Sequence, residues 1–229
     1  MKSVKGFTRI LLFVLELSMF FLVYYAMTKD VGISKAFTWH PILMTFGFTV
    51  CMNEGLIMYY FGDLAKESRH DTRKKHGVLQ LLSILSIIAG YIAIFIAHEG
   101  KSQFGAGAPT IKQVHVWLGY VVILLTIFQV IVGINKYITK TKTGESIMKW
   151  HGYLGLVVYL LGQTNIVIAS SFWGTKSFNK SLAIIFVISS VVILMTVRHV
   201  SIQLKIKNGD KEKLLDNVDV SQPNYGGRV

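Results

Sequence analysis

Four of the chain's seven histidines stand at or just before the start of an apolar run long enough to cross a membrane. They are His40 in "TWHPILM", His76 in "KKHGVLQ", His115 in "QVHVWLG" and His151 in "KWHGYLG". A polar ring at the edge of hydrocarbon costs free energy unless it finds a partner, a hydrogen bond or a metal. His40 and His115 are 75 residues apart, and so are His76 and His151. A repeated helical hairpin accounts for both offsets, although few residues are identical between the copies.

The elements that must position these rings follow from hydropathy. The chain has 229 residues, 52% of them hydrophobic and 16% charged. Its apolar residues gather into six runs of about 20, the length that spans a bilayer. They cover 10–27, 39–61, 78–97, 114–134, 151–169 and 182–197. The expected architecture is all-α and polytopic: one domain over 1–204 with six transmembrane helices, of which helices two to five form a four-helix core. Residues 205–229 form a polar tail that reads as disordered. Within it "DKEKLL" has the form of an acidic dileucine sorting signal, a pattern that a solvated juxtamembrane tail also produces by chance. A basic start before an apolar run also fits a signal peptide. The run of about 18 residues with no small-x-small site after it points instead to a retained first helix.

The net charge of +12 is distributed by side. Numbering the helix ends alternately puts 18 of the 24 basic residues on one face and six on the other. The positive-inside rule then places both termini in the cytoplasm. The basic excess therefore reports topology rather than a nucleic-acid partner. Asn179, in the sequon "NKS", falls on the outer side but abuts the sixth helix.

Direction sorts the histidines. Helices two and four enter from the outer side, so His40 and His115 share a depth near that face. Helices three and five enter from the cytoplasm, so His76 and His151 share a depth near the inner one. Two opposed imidazoles in a dry bundle suit haem, whose iron takes one nitrogen from each face. A zinc site wants three or four ligands at one depth. Gly119 and Gly155 follow His115 and His151 by four residues, on the same helical face. They leave room for a porphyrin or for a neighbouring helix. Gly77 and Gly152 directly follow their histidines and permit close backbone approach. The one cysteine, Cys51, sits in an apolar run, and no C-x-x-C-H occurs, so haem would be held by coordination alone.

Other residues have two readings each. Arg73, Lys74, Lys75 and Lys149 concentrate a small anion at the inner face, or simply obey the positive-inside rule. His98, in "AHEGKSQF", ends helix three beside the outer pair, where it meets an outer substrate or stays interfacial. His70 and His199 read as solvated and interfacial. Glu54 lies 14 residues past His40, about 21 Å along a helix and toward the inner pair. An intramembrane carboxylate there serves as a proton acceptor coupled to haem reduction, or makes a structural hydrogen bond with Asn53 or a neighbouring helix.

The stretches "WHPILMTFGFTVCMNEGLIMY", "KKHGVLQLLSI", "HEGKSQF…QVHVWLGY" and "KWHGYLGLVVYLLG" resemble the cytochrome b561 family of six-helix transmembrane oxidoreductases. The resemblance covers roughly 35–174 and is closest to the stand-alone, single-domain members. It implies two non-covalent b-type haems, with His76 and His151 as inner ligands and His40 and His115 as outer ones. It also implies electron transfer from cytoplasmic ascorbate to monodehydroascorbate or ferric chelates on the far side. Arg73, Lys74 and Lys75, with Lys149, would meet ascorbate, and His98 the outer substrate. Asp71 stands five positions before His76, where the family pattern leads one to look for lysine. The expected setting is an endomembrane or the plasma membrane, and a homodimer is compatible with the pattern. The alternative is a haem-containing anchor subunit that passes electrons only within a larger complex. A transporter with structural histidines is the third reading.

Overall fold

The computed structural model describes residues 2–61, 68–99, 109–172, 188, 191–192 and 194–196. The described chain folds as helices: α1 (Lys2–Asp30), α2 (Ala36–Thr45), α3 (Asn53–Phe61), α4 (Arg69–Ala97), α5 (Thr110–Thr143) and α6 (His151–Phe172). A π-helical segment, Phe46–Met52, joins α2 to α3, so the two form one continuous rod. Five helices are long and apolar enough to cross a membrane: Gly6–Asp30, Ala36–Met58, His70–Ala97, Thr110–Thr143 and His151–Phe172. They coincide with the first five expected runs. Of the sixth run, the described residues are helical, and Val192 is fully buried against Leu12 and Ile57. The polar tail with its 210–215 stretch, the sequon at Asn179 and His199 lie outside the described residues.

Two ends differ from the expectation. Arg73, Lys74 and Lys75, which precede the expected third run at 78–97, lie within α4, which starts at Arg69. Ser68 caps it, its hydroxyl accepting from the Asp71 amide at 3.1 Å, and Asp71 sits in the first turn, where the helix dipole favours a negative charge. His76 is thus two turns inside its helix rather than at the start. Helix α5 runs for 34 residues, about 51 Å, and outlasts a hydrocarbon core of about 30 Å. It ends at Gly144, whose φ of 76° and N–H donating to the Lys140 carbonyl oxygen form a left-handed cap.

The helices pair as two hairpins, α2–α3 with α4 and α5 with α6. Between the hairpins lies a core of Phe48, Met52, Ile87, Val122, Val158 and Tyr159. In lipid, such contacts hold by close packing rather than by exclusion of water. Gly162 shows how tight they are: a Cβ there would stand 2.5 Å from Phe48 Cδ1. Gly47, in the π-helical segment, lets α4 approach, and its carbonyl accepts from Ser83 Oγ at 2.8 Å. The outward faces carry Phe7, Trp117, Leu124 and Leu194 exposed, as a surface solvated by lipid requires.

Candidate functional site

Three of the four histidines rest on the partner helix of their own hairpin, and all four face the other hairpin. His40 on α2 places Nδ1 2.9 Å from the Gly90 carbonyl oxygen on α4. His115 on α5 places Nδ1 3.2 Å from the Asn165 carbonyl oxygen on α6. Gly90 and Asn165 are themselves 75 residues apart, so the hairpin repeat extends to the groups that orient the rings. His76 on α4 places Nδ1 2.8 Å from the Gly55 carbonyl oxygen on α3. In each case the carbonyl requires Nδ1–H as donor, which leaves Nε2 with its lone pair available. His151 differs. Its Nδ1 is buried without a partner, and Gln129 Nε2 donates to its backbone carbonyl instead, at 3.1 Å.

Across the hairpins the rings meet in twos. His40 and His115 have centroids 6.3 Å apart with planes at 84°, and His76 and His151 have centroids 6.3 Å apart at 83°. With metal–nitrogen bonds of about 2.0 Å and about 1.2 Å from nitrogen to ring centre, two imidazoles trans across one metal stand about 6.4 Å apart. Both couples fit a bis-imidazole iron. Fourteen residues separate His76 from Gly90 on α4 and His151 from Asn165 on α6. The two couples therefore lie about 21 Å apart along the bundle at about 1.5 Å per residue.

The His40–His115 couple opens on a cavity of about 470 Å³, a size suited to a cofactor. Gly119 and Gly162 line it, together with His98, Lys112, Tyr91 and Tyr120. Gly77 and Gly152 do not serve close approach within the protein, since a Cβ at either would meet nothing within 4 Å. His98 caps the C-terminus of α4, its Nδ1 3.0 Å from the Ile94 carbonyl oxygen.

At the other couple, Lys74, Lys75 and Lys149 are exposed and Arg73 is half-buried. Consecutive helical positions fan these α4 side chains around the axis, so they do not converge on one point. Lys136 does reach the couple: it is half-buried, in electrostatic contact with both His76 and His151, and donates to the Met148 carbonyl at 3.2 Å. The sequence reading counted Lys136 only toward the charge asymmetry. Its signal was position, three residues after Gly133, which packs on the His151 ring.

Glu54 forms an ion pair with Arg9 of α1. Its neighbour Asn53 is fully buried and donates to Glu16 Oε1 at 2.6 Å. Glu16, in the middle of the first apolar run, was missed by the sequence reading because no spacing ties it to the histidines.

The helices define an all-helical, polytopic membrane protein. The family model described as eukaryotic cytochrome b561 matches residues 39–178, and the chain belongs to that haem-binding family. It is 30% identical over 171 residues to the transmembrane reductase CYB561D2 of Mus musculus, covering 71% of this chain and 75% of the relative. It is 27% identical over 131 residues to the plasma membrane ascorbate-dependent reductase CYBRD1 of Xenopus laevis, covering 56% of this chain. The match to the ascorbate-specific transmembrane electron transporter 1 of Zea mays is 26% over 132 residues, 56% of this chain and 53% of that protein. The matched region spans only 44% of the frog protein.

Proposed function

We propose that this chain carries electrons across the membrane, from ascorbate at its cytoplasmic face to monodehydroascorbate or a ferric chelate at the other, through two non-covalent b-type haems. The observation that most supports this reading is the pair of imidazole couples, each with centroids 6.3 Å apart. His76 and His151 would hold the inner haem, and His40 and His115 the outer one. Each haem, when bound, supplies a one-electron carrier in a dry interior. The carbonyls of Gly55, Gly90 and Asn165 hold three of the rings in the tautomer that ligates. The names of the frog and maize relatives support ascorbate as donor.

Ascorbate is a monoanion at neutral pH, and Arg73, Lys74, Lys75 and Lys149 would raise its concentration at the inner face. Lys136 would meet it nearest the histidines. At the outer face His98 and Lys112 would receive an anionic acceptor. Both termini then lie in the cytoplasm. The deciding experiment loads sealed proteoliposomes with ascorbate and supplies a ferric chelate outside. Reduction of the external chelate, with a b-type band in the reduced-minus-oxidised spectrum, is the expected result. A chain with no such band, or a haem that stays oxidised in ascorbate until a partner protein is added, would overturn the proposal.

A further inference from the structure

A second buried site lies beside the inner histidines, on the side away from their facing rings. The first turn of α3 carries both: Gly55 orients His76, while Asn53 and Glu54, just before it, face α1. Glu16 on α1 is fully buried. Its Oε1 accepts from Asn53 Nδ2, and Thr196 Oγ1 donates to Asn53 Oδ1 at 3.2 Å. Glu16 Oε2 is buried with no hydrogen-bond partner. The Tyr159 hydroxyl, fully buried on α6 and in contact with Thr196, lies within electrostatic reach of Glu16. The titratable groups facing Glu16 are Arg9, Glu54, Cys51 and Tyr159.

The charges of this site do not cancel. Two carboxylates oppose one guanidinium, leaving one negative charge in the interior when both are ionised. Ferric iron in a porphyrin carries one net positive charge, which an electron removes. A charge stranded in a dry interior is costly, so an electron arriving at the inner histidines calls for a proton nearby. Glu16 Oε2, with no donor aimed at it, is the open acceptor. Glu54 and Arg9 give the route, because Arg9 is 26% exposed and Glu54 stands between it and Glu16.

We propose that Glu16 is a redox-linked proton site: its carboxylate takes one proton from the cytoplasmic side, by way of Glu54, for each electron that enters the inner site, and returns it when the electron leaves. One electron from the donor and one proton from water enter together, so the interior's charge is unchanged. This inference rests on the haem reading above and deepens the role expected of Glu54, which becomes the relay while Glu16 becomes the store.

The test uses the purified full chain, poised chemically with dithionite and ferricyanide so that no ascorbate is needed. The reduced-minus-oxidised infrared spectrum should gain a protonated-carboxyl C=O stretch on reduction, shifted in heavy water. Glu16→Gln should lose that band, and Glu16→Asp should keep it at a displaced frequency. The midpoint potential of one haem should fall as pH rises in the unaltered chain and become pH-independent in Glu16→Gln. Haem that reduces normally in the unaltered chain with no carboxyl band overturns this inference alone, as does a band that persists in Glu16→Gln. Absence of any b-type spectrum overturns the haem reading and this inference with it.

Discussion

His76 and His151 face each other with centroids 6.3 Å apart, yet only His76 is anchored: its Nδ1 meets the Gly55 carbonyl, while Nδ1 of His151 is buried without a partner. Hydrogen bonds that orient a ligating imidazole are worth roughly 10–100-fold in metal affinity. The two rings should therefore contribute unequally to one shared site. His76→Gly and His151→Gly should each lose the same single haem and leave the other in place, read as half the reduced haem absorbance per chain. Added imidazole should restore more haem at position 151, where no anchor has to be replaced. Loss of different haems from the two variants would show that the couples are wrongly drawn.

The contact between Gly162 and Phe48 tests the packing of one hairpin on the other. A methyl at Gly162 would stand 2.5 Å from the Phe48 ring, and overpacking of this kind costs about 1–3 kcal/mol. Gly162→Ala should lower the thermal midpoint in detergent. Phe48→Leu in the same chain should recover most of the loss, because the clash is with the ring. Equal midpoints for Gly162→Ala and the unaltered chain would place the contact elsewhere.

The Arg9–Glu54 pair ties α1 to the core, and the Glu54 side chain is only 9% exposed. Removing one partner of a fully buried pair costs about 3–5 kcal/mol, because the other charge is left without compensation. Arg9 reaches solvent, so Arg9→Met should cost less than that range. Changing Glu54→Gln together with Arg9→Met should be less harmful than Arg9→Met alone. Thermal denaturation of the three chains settles the point, and a double variant less stable than the single one contradicts it.

The parts of this site that could be read from the sequence share one property: their spacing is set along a helix. The depth of each histidine depends only on where its helix enters the membrane, and the common offset of 75 residues marks the hairpin repeat. That was enough to draw the two couples that the structure brings together. Glu16 escaped because its partner Asn53 lies 37 residues away on another helix, and Asn53's own partner Thr196 lies a further 143 residues along the chain. A lone glutamate among leucines and phenylalanines shows no period that names its partner. Residues 46–52 are composed like the rest of their span, so nothing local announces a π-helical turn; packing of Gly47 on Ser83 and Ile87 selects it. The basic stretch before His76 fell outside the expected run because charge interrupts hydropathy, whereas Ser68 and Asp71 supply a cap that starts the helix at Arg69.

Lys136 provides the sharpest test of how the inner face meets its donor. Lys74 and Lys149 are exposed, and a single exposed charge contributes little. Lys136 is half-buried between the Met148 carbonyl and the two inner histidines, so its charge is less screened. A contact of about 1 kcal/mol with a monoanion corresponds to roughly a fivefold change in affinity. Lys136→Gln should raise the ascorbate concentration for half-maximal haem reduction by about that factor, and the effect should shrink as salt is added. Lys136→Arg should retain most of the native behaviour, and Lys74→Gln should change little. Stopped-flow reduction with haem content measured in parallel separates binding from cofactor loss. If Lys136→Gln keeps its haem and its half-saturation, or if Lys136→Arg falls as far as Lys136→Gln, the lysine braces the chain before α6 through Met148 and plays no part in drawing the donor in.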